Sequence, residues 1–292
     1  MKDKFLLIDG NLMLFQSFYA TYNPNNSYVM QSQSGITTNG IYQFFRTLYN
    51  LLNSVKPKYI FIAFDAKEKT NRHLIYPEYK AGRRKAPEII FEQFHYTKEL
   101  LSKLNIPSSE INGAEADDLI ATLSKIQDVE KIIFSKDQDL LQLVNDDISI
   151  LYRDTFSNQY SKITKDNFEE KYLIKPNQIP DYKAINGDNS DNLPGVKGIG
   201  KIGAIKLLKE FGTWQNIYNN LDKHSTTVQK KLVESQEMSK LCYDLAKLNY
   251  DVEELDLNLE NYFLNINYQQ AKDLFLELGL ENVLARLESI KW

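Results

Sequence analysis

Short runs of apolar, β-branched or aromatic residues recur through the first half of the chain: Phe5 to Ile8, Tyr59 to Phe64, Lys131 to Phe134 and Ile148 to Tyr152. Each has the length of a strand and little polar alternation, which predicts strands buried on both faces. Between the first two, Ile41, Phe44, Phe45, Leu48, Leu51 and Leu52 recur at helical spacing from Gly40 to Val55, and Pro57 closes the element. Ala116 to Ile126 repeats that spacing and leads into the Lys131 strand. Strands alternating with helices predict an α/β fold, with a mainly parallel sheet covered by helices on both faces.

Residues 67 to 107 break the alternation. The segment is too long for a plain connection, and excursions of that size are usually functional. Its second part, Glu88 to Leu104, has a helical apolar pattern. Past Pro176 the chain turns all-helical, with helices predicted at Asn177 to Asn186, Ile202 to Phe211, Thr226 to Leu248, Tyr268 to Leu278 and Leu280 to Ile290. The division is placed between residues 175 and 176. The stretch from Asp251 onward carries no recognisable chemistry and reads as a buttress for the first unit.

Composition adds only exclusions. With 292 residues, 42% of them apolar and 25% charged, the chain is neither disordered nor fibrous. The apolar run at Phe5 stops at Asp9, short of the ~7–15 residues of a signal peptide. No stretch approaches the ~20 apolar residues of a membrane span. A lone Cys242 makes no internal disulfide, so a cytoplasmic address is expected.

The net charge of −4 is informative only when divided by position. Lys67, Lys69, Arg72, Lys80, Arg83, Arg84 and Lys85 face only Glu68 and Glu78 between residues 67 and 85, a local +5. Residues 192 to 209 hold Lys197, Lys201, Lys206 and Lys209 and no acid. Both stretches suit phosphates.

The acids cluster differently. Phe5 to Ile8 runs into Asp9, Tyr59 to Phe64 into Asp65, and Ile132 to Phe134 leads to Asp137 and Asp139. Ligands of open parallel sheets bind at the carboxyl ends of strands, so these acids point to one edge. Glu115, Asp117 and Asp118 open a helix, and Asp188 and Asp191 precede the glycine-rich turn, making nine acids. So many carboxylates at one edge repel each other by ~4 kcal/mol per close pair at an effective dielectric of 20. Divalent cations would relieve that, and all-oxygen ligation favours Mg²⁺ or Mn²⁺ over zinc. Without the nine acids the chain carries +5, which suits a polyanionic substrate. In Leu193 to Gly200, glycines allow close backbone approach and the helix from Lys201 offers free N–H groups, as in a helix-hairpin-helix grip on DNA phosphates.

The chain resembles the bacterial 5′–3′ exonucleases, or flap endonucleases, found alone or as the N-terminal part of DNA polymerase I. The motifs are Ile8-Asp9-Gly10-Asn11, Ser34-Gly35, Thr38 to Tyr42, Phe64-Asp65-Ala66, Arg72-His73 and Tyr76 to Arg83. They continue in order with Glu115 to Asp118, Lys136 to Leu140, and Gly187-Asp188 through Gly200. The resemblance implies a PIN-like catalytic domain, a helical arch at about residues 67–107 and a helix–three-turn–helix module. It implies that Asp9, Asp65, Glu115, Asp117, Asp118, Asp137, Asp139, Asp188 and Asp191 hold two or more Mg²⁺ ions, with Mn²⁺ able to substitute and K⁺ a candidate at the helix-hairpin-helix turn. Lys80 and Arg83 match arch residues beside the scissile phosphate, and Tyr79 matches a stacking residue. Arg72, Tyr79, Lys80, Arg83, Arg84, Lys197, Gly198, Gly200 and Lys201 form the implied DNA contacts.

The implied substrates are DNA with a 5′ flap, nick or overhang and the RNA primers of Okazaki fragments. The chain is read as a stand-alone monomeric enzyme with a separate polymerase and ligase as company. A PIN-type ribonuclease shares the acidic strand ends but not the basic arch and glycine turn. A non-catalytic DNA-binding protein gains nothing from nine acids near phosphate.

Overall fold

The computed structural model describes residues 2–22, 29–83, 85–154 and 159–291. In order these form β1 (Asp3–Asp9), α1 (Gly10–Thr21), α2 (Asn39–Val55), β2 (Tyr59–Phe64), α3 (Asn71–Ile75), α4 (Ile89–Lys103), β3 (Ser108–Glu110), α5 (Ala116–Leu123), β4 (Val129–Phe134), β5 (Ile148–Arg153), β6 (Tyr160–Ile163) and α6 (Lys165–Tyr172). Then come α7 (Ile179–Asn186), α8 (Lys201–Phe211), α9 (Trp214–Asn219), α10 (Thr226–Glu234), α11 (Gln236–Ala246), α12 (Tyr268–Glu277) and α13 (Glu281–Glu288).

Period-two geometry sends alternate side chains of one strand to opposite faces. Phe5 and Leu7 of β1, with Phe61 and Ala63 of β2, join the core shared with α5, α7 and α8. Leu6, Ile8, Ile60, Ile62 and Phe64 point the other way, onto α2, α4, α12 and α13. Buried on both faces, such residues stabilise the sheet by roughly 1.5–3 kcal/mol each. The C-terminal helices thus return to the sheet, where Phe275 packs edge-on against Phe45 at 5.4 Å.

The sheet order is β3-β2-β1-β4-β5-β6, parallel throughout except for β6 at the edge. The chain moves outward from β1 to β3, then re-enters at β4 on the other side of β1. The carboxyl ends of β1 and β4 therefore flank a topological switch point, where open α/β sheets form a crevice.

Several elements differ from the expected pattern. The unexpected α1 is apolar nearly all round, with Leu12, Met13, Leu14, Phe15 and Phe18, so it shows no stripe. Its start is set by Asp9, whose carboxylate caps the Leu12 amide. Strands β3 and β6 and helix α9 are too short for periodicity to reveal, and α6, which buries only Phe168, has no apolar stripe. The helix expected from Thr226 to Leu248 breaks at Ser235, whose Oγ accepts from the Lys197 amide in the glycine-rich turn.

The tip of the 67–107 excursion is docked. Tyr79 packs with Leu193, Cys242 and Leu245, the Asn192 amide donates to the Glu78 carbonyl, and the Lys80 amide donates to the Asp191 carbonyl at 3.1 Å. Among the described residues no helix is long and apolar enough to cross a membrane.

Candidate active site and nucleic-acid interface

The carboxyl end of β1 delivers Asp9 into a buried position, where it accepts from the Leu12 amide at 2.9 Å and the Ser135 hydroxyl at 3.0 Å. One strand over, Asp65 is clamped by Asn11, which donates to it at 2.8 Å and accepts its amide at 3.1 Å, while the Ala116 amide donates to its other oxygen. Asp137 and Asp139 follow β4, with the Asp139 amide donating to Asp137 at 2.8 Å. Carboxylate oxygens of Asp117, Asp137 and Asp139 all lie within 4.8 Å of one another. A small cleft of about 110 Å³ joins Asp9, Asp65, Glu115, Asp117 and Asp137 to Lys80 and Arg83.

The charge this concentrates is visible in the titrations. Burial, then the neighbouring Asp65 and Asp137, push Asp9 up to about 7 against the hydrogen bonds that favour its anion. Burial and Asp137 push Asp139 to about 7 although Lys183 opposes them. Burial and three neighbouring aspartates raise Asp117 well above the carboxylate range. Burial and like charge thus disfavour the charged form of these carboxylates. An all-carboxylate donor set whose members hold protons near neutrality fits divalent ions of the Mg²⁺ class.

Cations fill the rest. Lys80 places its ammonium 2.9 Å from Glu115 and its backbone at φ 58°, a left-handed conformation that costs a non-glycine residue ~1 kcal/mol or more. Burial opposes the Lys80 charge, but Glu115 and Asp191 outweigh it and raise its pKa. Arg83 pairs with Asp191 at 2.8 Å and remains half exposed.

The unexpected member is Lys183 of α7, 3% exposed, which pairs with both Asp139 and Asp188. Burial pushes Asp188 up, but Lys183 and Ser190 prevail and hold it at about 2. Lys183 thus occupies one side of the cluster as an internal cation. In the sequence it is one charged residue in a predicted helix, and only the packing of α7 against the strand ends reveals it.

Three of the expected site residues are already engaged within the protein. Asp118 accepts from both terminal nitrogens of Arg72, at 2.7 and 2.8 Å, and from the amides of Glu115 and Asn249. Each of its oxygens thus accepts from two protein donors, which brace the loop. Arg72 also donates to the carbonyls of Leu245 and Lys247, which turns it inward. Tyr79 is 3% exposed with its hydroxyl between Glu115 and Asp191, so it offers no face to a base. Arg84 lies outside the described residues.

In the glycine-rich turn the closest approach is within the chain, between two buried glycines. Gly187 and Gly195 have φ of +78° and +65°, and a Cβ at Gly195 would fall 2.3 Å from the Gly187 nitrogen. Beyond it Lys197, Gly198, Gly200, Lys201, Lys206 and Lys209 are all exposed, as is Ile202 at 86%. The Gly198 carbonyl accepts from Lys231 at 2.9 Å.

Comparison with known proteins adds to this geometry. Residues 4–173 match the model of the 5′–3′ exonuclease N-terminal resolvase-like domain, and residues 174–273 that of the 5′–3′ exonuclease C-terminal SAM fold. The chain is 34% identical over 290 residues to DNA polymerase I of Bacillus subtilis, covering 98% of this chain and 32% of that protein. It is 35% identical over 250 residues to DNA polymerase I of Lactococcus lactis, covering 84% and 28% respectively. The chain therefore spans about a third or less of these relatives. Among solved structures, the bacteriophage T5 flap endonuclease in a complex with DNA and metal ions aligns with a TM-score of 0.68 at 22% identity, over 98% of this chain and 100% of that one. The catalytic core of Rad2 in complex with DNA substrate aligns at 0.65 and 18% identity, over 100% and 93%.

Proposed function

The chain belongs to the 5′–3′ exonuclease family, and from that premise we propose that it is a divalent-metal-dependent, structure-specific nuclease acting on DNA with a 5′ flap, nick or overhang. The observation that carries this reading is the convergence of Asp117, Asp137 and Asp139 at the switch point, beside Asp9 and Asp65 and under Lys80 and Arg83. Asp9, Asp65, Glu115, Asp117 and Asp137 would hold one side of the centre, and Asp139, Asp188 and Asp191 the other. Two Mg²⁺ ions bound there would supply a water ionised at neutral pH and stabilisation of the leaving 3′ oxygen.

The chain's own residues do the remaining work. Lys80 and Arg83 are held on carboxylates at the cleft mouth, and a phosphate entering it would compete for the same donors. Their positive charge then lies where the transition state is most negative. The exposed lysines from Lys197 to Lys209 would hold the duplex by its phosphates, irrespective of sequence. A K⁺ ion is a further candidate at the glycine-rich turn, where the Gly198 carbonyl accepts from Lys231. RNA primers are a second substrate class under this reading, which has a monomer work in the cytoplasm in the company of polymerase and ligase activities.

The deciding experiment is cleavage of a 5′-labelled DNA flap with EDTA, with Mg²⁺, and with Mg²⁺ and an Asp139→Asn variant. Product near the single-strand/duplex junction is expected only for the unaltered protein with metal. Binding without product in every arm would overturn the assignment.

A further inference from the structure

Helix α2 is capped from outside its own segment. Thr38 stands at its N-cap, a residue type that usually accepts from first-turn amides. Its hydroxyl makes no such bond and is buried without a partner among the described residues. The amides of Gly40 and Ile41 donate instead to Oε1 of Gln93 on α4, at 2.7 and 3.2 Å. Gln93 is fully buried, and its Nε2 donates to Oδ1 of Asn39 at 3.0 Å. The Asn39 side-chain amide donates in turn to the Thr21 hydroxyl at 2.9 Å and the Phe18 carbonyl at 3.3 Å, at the end of α1. Gly40 leaves room for this, because a Cβ there would fall 2.7 Å from the Gln93 oxygen. One side chain of α4 thus ties three helices together.

Buried directional bonds hold helices in one arrangement, where apolar contacts of the same volume tolerate sliding and rotation. The place of Gln93 in the chain gives that rigidity a use. Helix α4 is the second leg of the 67–107 excursion, and from Ala81 to Ile89 no described residue is buried. Ile90 and Gln93 are therefore the first fixed points after the tip that carries Lys80 and Arg83. The tip's own ion pairs, Lys80 with Glu115 and Arg83 with Asp191, are those a phosphate in the cleft would compete for. The bonds of Gln93 meet no such competitor and stay in place when those pairs open. Resting on the nuclease reading, we propose that Gln93 is a positioning residue for cleavage. By pinning the root of α4 to the first turn of α2, it sets where Lys80 and Arg83 stand relative to the carboxylate centre.

The test is single-turnover cleavage of a 5′ DNA flap in Mg²⁺ by the full chain carrying Gln93→Met or Gly40→Ala, each with and without Lys80→Ala. Gly40→Ala keeps the glutamine but fills its seat, so it carries the test if Gln93→Met does not fold. Each substitution should slow cleavage roughly 10–100-fold with flap affinity in EDTA within about twofold, since a misplacement of ~1 Å far from the chemistry can cost 10²-fold. In the Lys80→Ala background the same substitutions should add no more than about threefold, because the group they misplace is already gone. Hydrogen exchange of the free proteins in EDTA supplies a readout without cleavage. The Lys80 amide, which donates to the Asp191 carbonyl, should lose protection while the amides of α8 keep theirs. Equal slowing in both backgrounds, or an unaltered Lys80 amide, would make Gln93 a packing residue and overturn the proposal. Full rate in both variants, where the unaltered protein cleaves, would do the same. If the unaltered protein cleaves no flap, the nuclease reading falls first and the positioning role with it.

Discussion

The acidic rim and the glycine-rich turn both concentrate charge, but they handle it in opposite ways. At the rim, carboxylates are buried and take internal cations: Lys183 on Asp139 and Asp188, Lys80 on Glu115, Arg83 on Asp191. At the turn, Lys197, Lys201, Lys206 and Lys209 stand in solvent. Buried charge is expensive and needs positioned partners, whereas exposed charge acts over a Debye length and tolerates imprecision. The contrast separates a region built for chemistry from one built for holding a polyanion. Changes at the rim should therefore alter stability and rate, and changes at the turn should alter affinity.

The largest effect is expected from Lys183→Met. It leaves Asp139 and Asp188 facing each other without a counter-charge, which should cost about 3–5 kcal/mol of stability in EDTA. Mg²⁺ should restore more stability to the variant than to the unaltered protein, because an ion would no longer compete with the ammonium. Urea titrations in EDTA and in Mg²⁺ decide this, and equal losses in both would show that Lys183 does not share the ions' place.

Next is Lys80→Ala, expected to slow single-turnover cleavage roughly 10²–10³-fold with duplex affinity nearly unchanged. A fall in affinity at constant rate would make Lys80 a phosphate anchor and blur the division between the regions.

A smaller effect follows from the protons at the rim. Burial, followed by like charge, lifts the folded-state pKa of Asp9 to about 7, and burial with Asp137 does the same for Asp139, above the ~4 of an unfolded aspartate. The metal-free fold therefore binds more protons than the unfolded chain between those values. Its stability should fall as pH rises from about 4 to about 7, by up to ~1.4 kcal/mol per pH unit per group, and level off above. Denaturant midpoints in EDTA at pH 5 and pH 8 measure it, and a higher midpoint at pH 8 would contradict the assigned charge states.

The smallest change is expected at the turn. Lys197→Ala or Lys201→Ala should flatten the slope of log affinity against log salt by about 0.9 for each phosphate that is no longer neutralised, with little change in rate at saturating DNA. An unaltered slope would remove those lysines from the interface.

Much of this was legible in sequence because the signals are local. The strands of continuous apolar residues, the acids just beyond them and the glycines of the turn depend on neighbours along the chain. Helix α1 escaped because, apolar all round, it shows no period, although Asp9 marks its cap. What the sequence did not show is what distant neighbours set. Asp118 stands one residue from Asp117, yet Arg72 and the Asn249 amide take up its oxygens. Tyr79 sits in a basic segment that looked exposed, yet Leu193, Cys242 and Leu245 enclose it.

By itself, then, the sequence determined the parallel sheet, the set of acids available at its edge and the basic, glycine-rich character of the turn, since period, strand length and backbone freedom are properties of residues and their immediate neighbours. Only the tertiary structure decided which acids stay free for an ion, which lysine lies among them and which side chain caps α2, because pairing and burial depend on residues as far apart as Arg72 and Leu245, or Asp139 and Lys183, that meet only when the chain has folded.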